Sequence, residues 1–334
     1  MDTAWTTEPH VLRQKIGNAD KEAVSDLLVT DKNTFVGLDS GSILVFDTSG
    51  SFERTLHGHD LGVIYLAHAG DDTLVSGSSD TTVRVWNVKT GNCRHTLEAD
   101  SSGVFCIEMS GSDTAIAGSK DGVVRTWDVV TGQLRQELVG HTGAVYQIAR
   151  IGDVLVSGSE DNTARVWNIS QGRHLQTFHG HTDHISSVAF DGTRVVTGSV
   201  DCTVRIWDPS NGSCIAVLEG HTSVVNKVQM RGDTLLTYDP DGTIRIWSLE
   251  KRALLRTIDA HHQSAASLDF DGSSIISGPL NEPARIWDAQ SGELMREFGS
   301  PADVVWKVAL GKGRATFTAN RGKDVVLEVK WCKS

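Results

Sequence analysis

A chain of 334 residues with 42 acidic and 31 basic side chains carries a formal net charge of −11. That balance argues against nucleic acid as the main partner, because neutralising phosphates takes a basic face, and Lys and Arg occur here only in scattered pairs such as Lys251-Arg252. Hydrophobic residues reach 39%, enough for a core, yet no apolar run approaches the ~18 residues of a membrane span.

The N-terminal MDTAWTTEPH lacks the basic-then-apolar order of a signal peptide. Five cysteines (Cys93, Cys106, Cys202, Cys214 and Cys332) are odd in number and never form a CxxC pair. They read as reduced thiols, most of them small buried residues, in a cytoplasmic or nuclear protein.

In chain order the first candidate element is VLRQKI at 11 to 16. Sets of short strands follow. First strands begin near residues 24, 63, 104, 144, 184, 224, 264 and 304. Each leads into a second strand and a Gly-containing run (SGSSD, AGSKD, SGSED, TGSVD) suited to a tight turn. Third strands alternate β-branched and polar residues, as in TVRVWN, TVRIWD, TIRIWS and PARIWD, the pattern of a strand with two distinct faces. Fourth strands lie near 52, 93, 133, 173, 213, 254 and 294.

The tryptophans set the period. Trp86, Trp127, Trp167, Trp207, Trp247 and Trp287 are spaced by 41, 40, 40, 40 and 40 residues, with Phe46 standing 40 before the first. Four short strands per repeat specify an antiparallel sheet that cannot bury both faces alone, so neighbours must stack and close. The fold expected is all-β: an eight-bladed β-propeller of four-stranded antiparallel blades forming one domain over 1–334. Units lie near 22–58, 62–99, 103–140, 143–180, 183–220, 223–260, 263–299 and 303–330. Eight sets of first strands but only seven fourth strands leave one vacancy, so an N-terminal strand near 10–16 is expected to close the last blade. Seven blades is the alternative.

With GH, a turn Asp and WD or WN at fixed offsets, the units resemble WD repeats over essentially residues 10 to 330. The resemblance is closest to the WD domain of F-box/WD-repeat substrate receptors of ubiquitin ligases, carried by the eight units, short loops such as AFDGTRVVTGSVD, and the final VVWKV unit.

One constellation invites a catalytic reading. His141, Ser157 and Asp161 are the residue types of a hydrolytic triad, but the set recurs. His59/Ser76/Asp80/Trp86, His141/Ser157/Asp161/Trp167, His181/Thr197/Asp201/Trp207 and His221/Thr237/Asp241/Trp247 repeat it, and the seventh unit has His261, Ser277, Asn281 and Trp287. A triad needs one copy at an open site with an oxyanion hole. The resemblance implies a structural tetrad instead, a hydrogen-bonded chain from Asp to His to Ser or Thr to the Trp N–H. Thr in place of Ser at 197 and 237 suits a hydroxyl that only hydrogen-bonds. The third unit breaks the set, with Asp100 for His and Ala117 for Ser. HGH at 57 to 59 and 179 to 181 lacks a second ligand cluster at metal spacing. No metal, no cofactor and no catalytic residue is expected.

If the repeats hold the fold, function belongs where they differ. In WD propellers partners dock on the narrower face, and two positions per blade point there. Five residues after the GH His stand Ile64, Phe105, Tyr146 and Ser186, with Trp306 by the VVW match; before the turn Asp stand Ser79, Lys120, Glu160 and Val200. Phe105, Lys120, Tyr146, Glu160, Trp306, Ile64 and His184 make the expected partner-binding set, because aromatic anchors flanked by charge are what protein hot spots use.

Three functions follow. The first is a non-catalytic protein–protein interaction scaffold, monomeric alone, binding a peptide or protein. The second is the substrate-recognition domain of a ubiquitin ligase with the F-box on no part of this chain, since only about 20 residues precede the first unit and Lys120 is the only cation at the rim positions. The third is an enzyme at the channel mouth, for which the sequence supplies no metal or acid cluster.

Overall fold

The computed structural model describes residues 11–70, 72–99, 103–262, 265–298, 304–311 and 313–331. Among them are thirty-two strands and no helix. They form eight four-stranded sheets, each in sequential antiparallel order except one, in which Val11–Asn18 pairs with Asp324–Trp331 beside the strands Arg314–Arg321 and Val305–Gly311. The fold is an eight-bladed β-propeller, and the N-terminal strand supplies the missing fourth strand of blade 8.

The described residues group into two compact units. One holds the chain up to Val63, Pro240–Ile244 and the chain from Arg256 onward; the other holds Ile64–Asp239 and Arg245–Leu255. Within each, the core is a series of layers between successive blades. In the second unit, Val83, Val85 and Leu97 of blade 2 pack with Val104, Ala115 and Trp127 of blade 3. The same layer recurs between blades 3 and 4 around Trp167, and between 4 and 5 around Trp207. The alternation of TVRVWN is what permits this: Val83, Val85 and Trp86 are buried while Thr82, Arg84 and Asn87 are only half-buried. Each fully buried Val, Ile or Leu contributes ~1.5–3 kcal/mol.

The glycine of the SGS motif has a different reason from the tight turn expected of it. Gly158 lies inside the strand Val154–Ser159, paired with Gln147 and Ala164. A Cβ there would stand 2.5 Å from Val188 Cγ2 and 2.7 Å from Ile185 Cγ2 of the next blade. Gly118 meets Val145 and Gly198 meets Val225 in the same way. The turn residue falls four residues later, where Asn162 and Cys202 take φ of +66° and Gly122 of +82°. Thus the repeat's Gly is a packing residue that lets the neighbouring blade's β-branched side chain approach the backbone.

In the first unit, Glu328 is fully buried at the seam strand. It accepts from Arg13 Nε at 3.0 Å and Arg321 Nε at 2.8 Å, with Lys330 Nζ at 3.5 Å. These three cations hold its carboxyl below its ordinary range against the upward pull of burial.

Candidate functional site

The tetrads assemble at one edge of the blades, where the first strand begins and the second ends. In blade 4, Asp161 Oδ2 accepts from His141 Nδ1 at 2.8 Å and from the Thr142 N–H at 3.1 Å. Its Oδ1 accepts from Thr163 N at 3.0 Å and Thr163 Oγ1 at 2.6 Å. His141 Nε2 lies 2.7 Å from Ser157 Oγ, which accepts from Trp167 Nε1 at 2.8 Å. Blade 5 repeats the chain through Asp201, His181, Thr197 and Trp207 at 2.7, 2.7 and 2.8 Å.

Charge states follow from these contacts. Burial, opposed by Asp161, pushes His141 below its ordinary value, and the His141 and Thr163 bonds hold Asp161 far down against burial. A neutral imidazole beside an ionised carboxylate must donate from Nδ1, leaving Nε2 to accept the Ser157 hydroxyl proton. Ser157 is fully buried with both bonding directions used. That is the geometry of a brace on the turn, with the hydroxyl held inside a hydrogen-bonded chain rather than presented at an open site.

Two blades depart from the expected residues. In blade 6, His221 Nδ1 meets Asp239 Oδ2 at 2.7 Å, and Thr237 Oγ1 joins His221 Nε2 at 2.6 Å and Trp247 Nε1 at 2.8 Å. Asp239 therefore holds the place expected of Asp241. The reason is a substitution two residues upstream: Ser159 and Ser199 of blades 4 and 5 use this position to cap the turn, accepting from the N–H of Asp161 and Asp201. Asp239 puts a fully buried carboxylate there, which also draws in Arg245 Nη1 at 3.0 Å.

In blade 7 the left-handed turn residue is Asn281, φ +70°, and the carboxylate comes one residue later. Glu282 Oε2 lies 3.5 Å from His261 Nδ1, while His261 Nε2 and Trp287 Nε1 meet Ser277 Oγ at 2.7 and 2.9 Å. In blade 2, Trp86 Nε1 donates to Ser76 Oγ at 2.8 Å, Asp80 accepts from Thr82, and His59 is buried. Blade 3 has Ala117 buried beneath Trp127, and Asp121 pairs with Arg125 at 2.7 Å; Asp100 lies outside the described residues.

The rim residues owe their placement to a β-bulge. In blade 3, Val104 pairs with Ser119 and Cys106 with Gly118, so Phe105 is the extra residue. Tyr146, Ser186 and Trp306 are the extra residues of blades 4, 5 and 8. A bulge leaves one residue out of the ladder and re-aims its side chain, which is why the position five after the GH His varies freely.

Two bulge residues, Phe105 and Tyr146, and the pre-strand His184 form a run of three rings across blades 3, 4 and 5. Phe105 and Tyr146 lie 5.7 Å apart at 39°, and Tyr146 and His184 6.3 Å apart at 31°. The Ser186 hydroxyl turns into the backbone, onto the carbonyls of Gly198 and Val225. His184, two residues earlier, is therefore the ring that continues the run.

Glu160 is exposed, with Oε2 accepting from Ala144 N at 3.2 Å; burial first, and the Glu160 charge second, raise the Tyr146 phenol. Lys120 is exposed at the turn of blade 3, its backbone N–H on Gly103 O at 3.1 Å. Ile64 is half-buried at the equivalent place in blade 2.

Trp306 belongs to the other unit. There its indole donates to Asn320 Oδ1 at 2.8 Å and packs with the Val24, Phe46 and Leu327 cluster. It is part of that unit's packing, and the ring run is made without it.

Two rim residues went unread in the sequence. Asp183 Oδ1 stands 3.6 Å from His184 Nε2. Tyr65, next to Ile64, is 38% exposed.

Of the four described cysteines only Cys106 is buried, its thiol pushed up to about 12 by burial; Cys93 and Cys202 are half-buried and Cys214 is exposed. The expectation that most are buried is thus corrected, because Cys93 and Cys214 begin outer strands. Cys332 lies outside the described residues. Among the described residues no three His, Cys, Asp or Glu side chains gather as metal ligands, and His57 of the first HGH turns to Ser42 Oγ at 3.4 Å.

Comparison with known proteins agrees with this architecture. The family model described as "WD domain, G-beta repeat" matches residues 50–87, 91–128, 132–168, 172–208 and 212–248, more than half of the chain. The chain is similar to Cell division control protein 4 of Saccharomyces cerevisiae, 42% identical over 71 residues, 21% of this chain and 9% of that protein. It is similar to WD repeat-containing protein pop1 of Schizosaccharomyces pombe, 39% identical over 72 residues, 21% of this chain and 9% of that protein. The matches thus span under a tenth of either relative. Among solved structures, the computationally designed Ika8 protein superposes with a TM-score of 0.85 and 27% identity, covering 95% of this chain and 98% of that one.

Proposed function

Because the chain belongs to the WD domain, G-beta repeat family, whose propellers serve as protein-interaction scaffolds, we propose that it is a non-catalytic platform gripping a peptide or protein segment at the rim of blades 3 to 5. The observation that carries this is the half-buried ring run Phe105–Tyr146–His184, two of whose members are bulge residues, with the exposed Lys120 and Glu160 in the turns of blades 3 and 4. Aromatic groups at the surface with charged neighbours supply the apolar area and directionality of binding hot spots.

The test is affinity capture with the native chain against the Phe105→Ala/Tyr146→Ala pair, with Leu134→Ala/Leu175→Ala on exposed outer strands as control. Loss of at least ~10-fold in partner recovery is expected for the rim pair alone, at an unchanged denaturation midpoint. Equal recovery by both pairs overturns the proposal.

The F-box/WD likeness of the repeats and the match to Cell division control protein 4 favour a second reading, the substrate-recognition part of a ubiquitin ligase. It is distinguished by whether the captured partner gains ubiquitin when the chain is joined to a ligase-recruiting module.

A further inference from the structure

Resting on that reading, the geometry points to the chemistry of the partner: the rim of blades 3 to 5 takes a cationic side chain, the guanidinium or ammonium of a basic protein segment, over the Tyr146 ring. Three observations lead there. The first is the ring run itself. Tyr146 has Phe105 on one side at 5.7 Å and His184 on the other at 6.3 Å, both tilted rather than coplanar. The three rings are half-buried, so part of each stays accessible at the rim, and aromatic faces attract cations through the ring quadrupole, most strongly where water is partly excluded.

The second observation is the placement of carboxylates. Glu160 is close enough to Tyr146 to disfavour ionisation of its phenol, and only one of its oxygens is engaged with a backbone N–H, that of Ala144. Asp183 stands at the far end of the run, its carboxylate 48% exposed and 3.6 Å from His184 Nε2. A cation over Tyr146 would thus meet a ring face below and carboxylates on the blade 4 and blade 5 sides. Lys120 belongs to the turn of blade 3, the blade of Phe105.

The third is charge at long range. The chain carries a net −11, which speeds the approach of a basic segment and slows that of an acidic one at low ionic strength. A phosphorylated or acidic segment would find a single Lys, where bidentate recognition calls for Arg, and would face Glu160 and Asp183 directly.

The experiment titrates the intact chain with short blocked peptides that differ at one residue. The probes are Gly-Gly-Arg-Gly-Gly, its Lys and trimethyl-Lys forms, the neutral citrulline and acetyl-Lys forms, and a phosphoserine form. Binding is read by NMR shifts of the ring protons. The cationic peptides should saturate in the millimolar range and bind about 3- to 30-fold more tightly than the neutral ones. Tyr146→Ala should abolish the difference, Tyr146→Phe should keep it, and Glu160→Gln should reduce it while leaving neutral peptides unchanged.

Equal binding of Arg and citrulline peptides, preference for phosphoserine, or no saturable binding by any cationic probe overturns the inference. Such a failure is separable from failure of the binding platform itself: a charge-blind rim would still lose its captured partner in the Phe105→Ala/Tyr146→Ala pair, whereas a rim that is not a docking site would lose nothing.

Discussion

Asp161→Ala measures what the tetrad brace is worth. The carboxylate accepts four hydrogen bonds, from His141 Nδ1, Thr142 N, Thr163 N and Thr163 Oγ1. The donors are not equivalent. The His141 side chain is fully buried, so its Nδ1–H loses its partner with no water to replace it, a cost of ~1–3 kcal/mol. Thr142 is exposed and Thr163 half-buried, so their groups rehydrate and add about 0–1 kcal/mol. A total near 2–3 kcal/mol is expected from urea unfolding followed by tryptophan fluorescence.

Blade 3 provides the control. Asp121 pairs with Arg125 and the Val123 N–H at the surface, above an Ala117 that replaces the hydroxyl residue. Asp121→Ala should cost ~1 kcal/mol or less. A double-mutant cycle of Asp161→Ala with His141→Ala should show a coupling of ~1–2 kcal/mol. If the two Asp variants lose equal stability, or if His141 and Asp161 prove additive, the buried chain is not what holds the turn.

Further outcomes follow from the same contacts. Asp239→Ala should cost more than Asp161→Ala, ~3–5 kcal/mol, because it strands Arg245 beside His221; adding Arg245→Met should restore part of it, and no restoration would refute the pairing. Acid should weaken the fold below the ordinary histidine value of 6.5, because His141, His181, His221 and His261 all have folded values lowered chiefly by burial, so the unfolded chain binds protons first. Their contribution is full above 6.5 and is lost as pH falls through the folded values; for His261, lowered to about 4, it amounts to ~3 kcal/mol. Urea midpoints that stay level from about pH 7.5 to about pH 5 would contradict this. Gly158→Ala should cost ~1–3 kcal/mol, since its Cβ would press on Val188 and Ile185, and Val188→Ala in the same chain should relieve some of the strain, as thermal melting will show.

Most of the architecture was legible without coordinates because it is periodic. A Trp every forty residues, with strand alternation before it and a turn Asp six residues earlier, leaves stacked antiparallel sheets as the arrangement that buries every apolar face. Strand counting likewise required the N-terminal segment to complete blade 8, and Val11–Asn18 does so against Asp324–Trp331.

Periodicity failed where a side chain could be supplied from a neighbouring register. Asp239 took the carboxylate role from the expected Asp241, and Glu282 supplies a carboxylate next to the expected Asn281, because side-chain reach and turn conformation, not spacing, decide which acid meets a histidine. The YDPDG run did carry a signal, an acid where other blades have Ser.

The sequence by itself determined the repeat and the residues that vary at the rim, and strand counting favoured eight blades over seven, which the structure decides. Only the tertiary structure decided which of those residues act together. Phe105, Tyr146 and His184 come from three blades and meet because bulges lift two of them and Ser186 folds away to leave the third place to His184. Trp306, equivalent in sequence, is drawn into the packing around Asn320 and Leu327. A position's register says which way its backbone turns, but its surroundings are set by residues forty or more positions away.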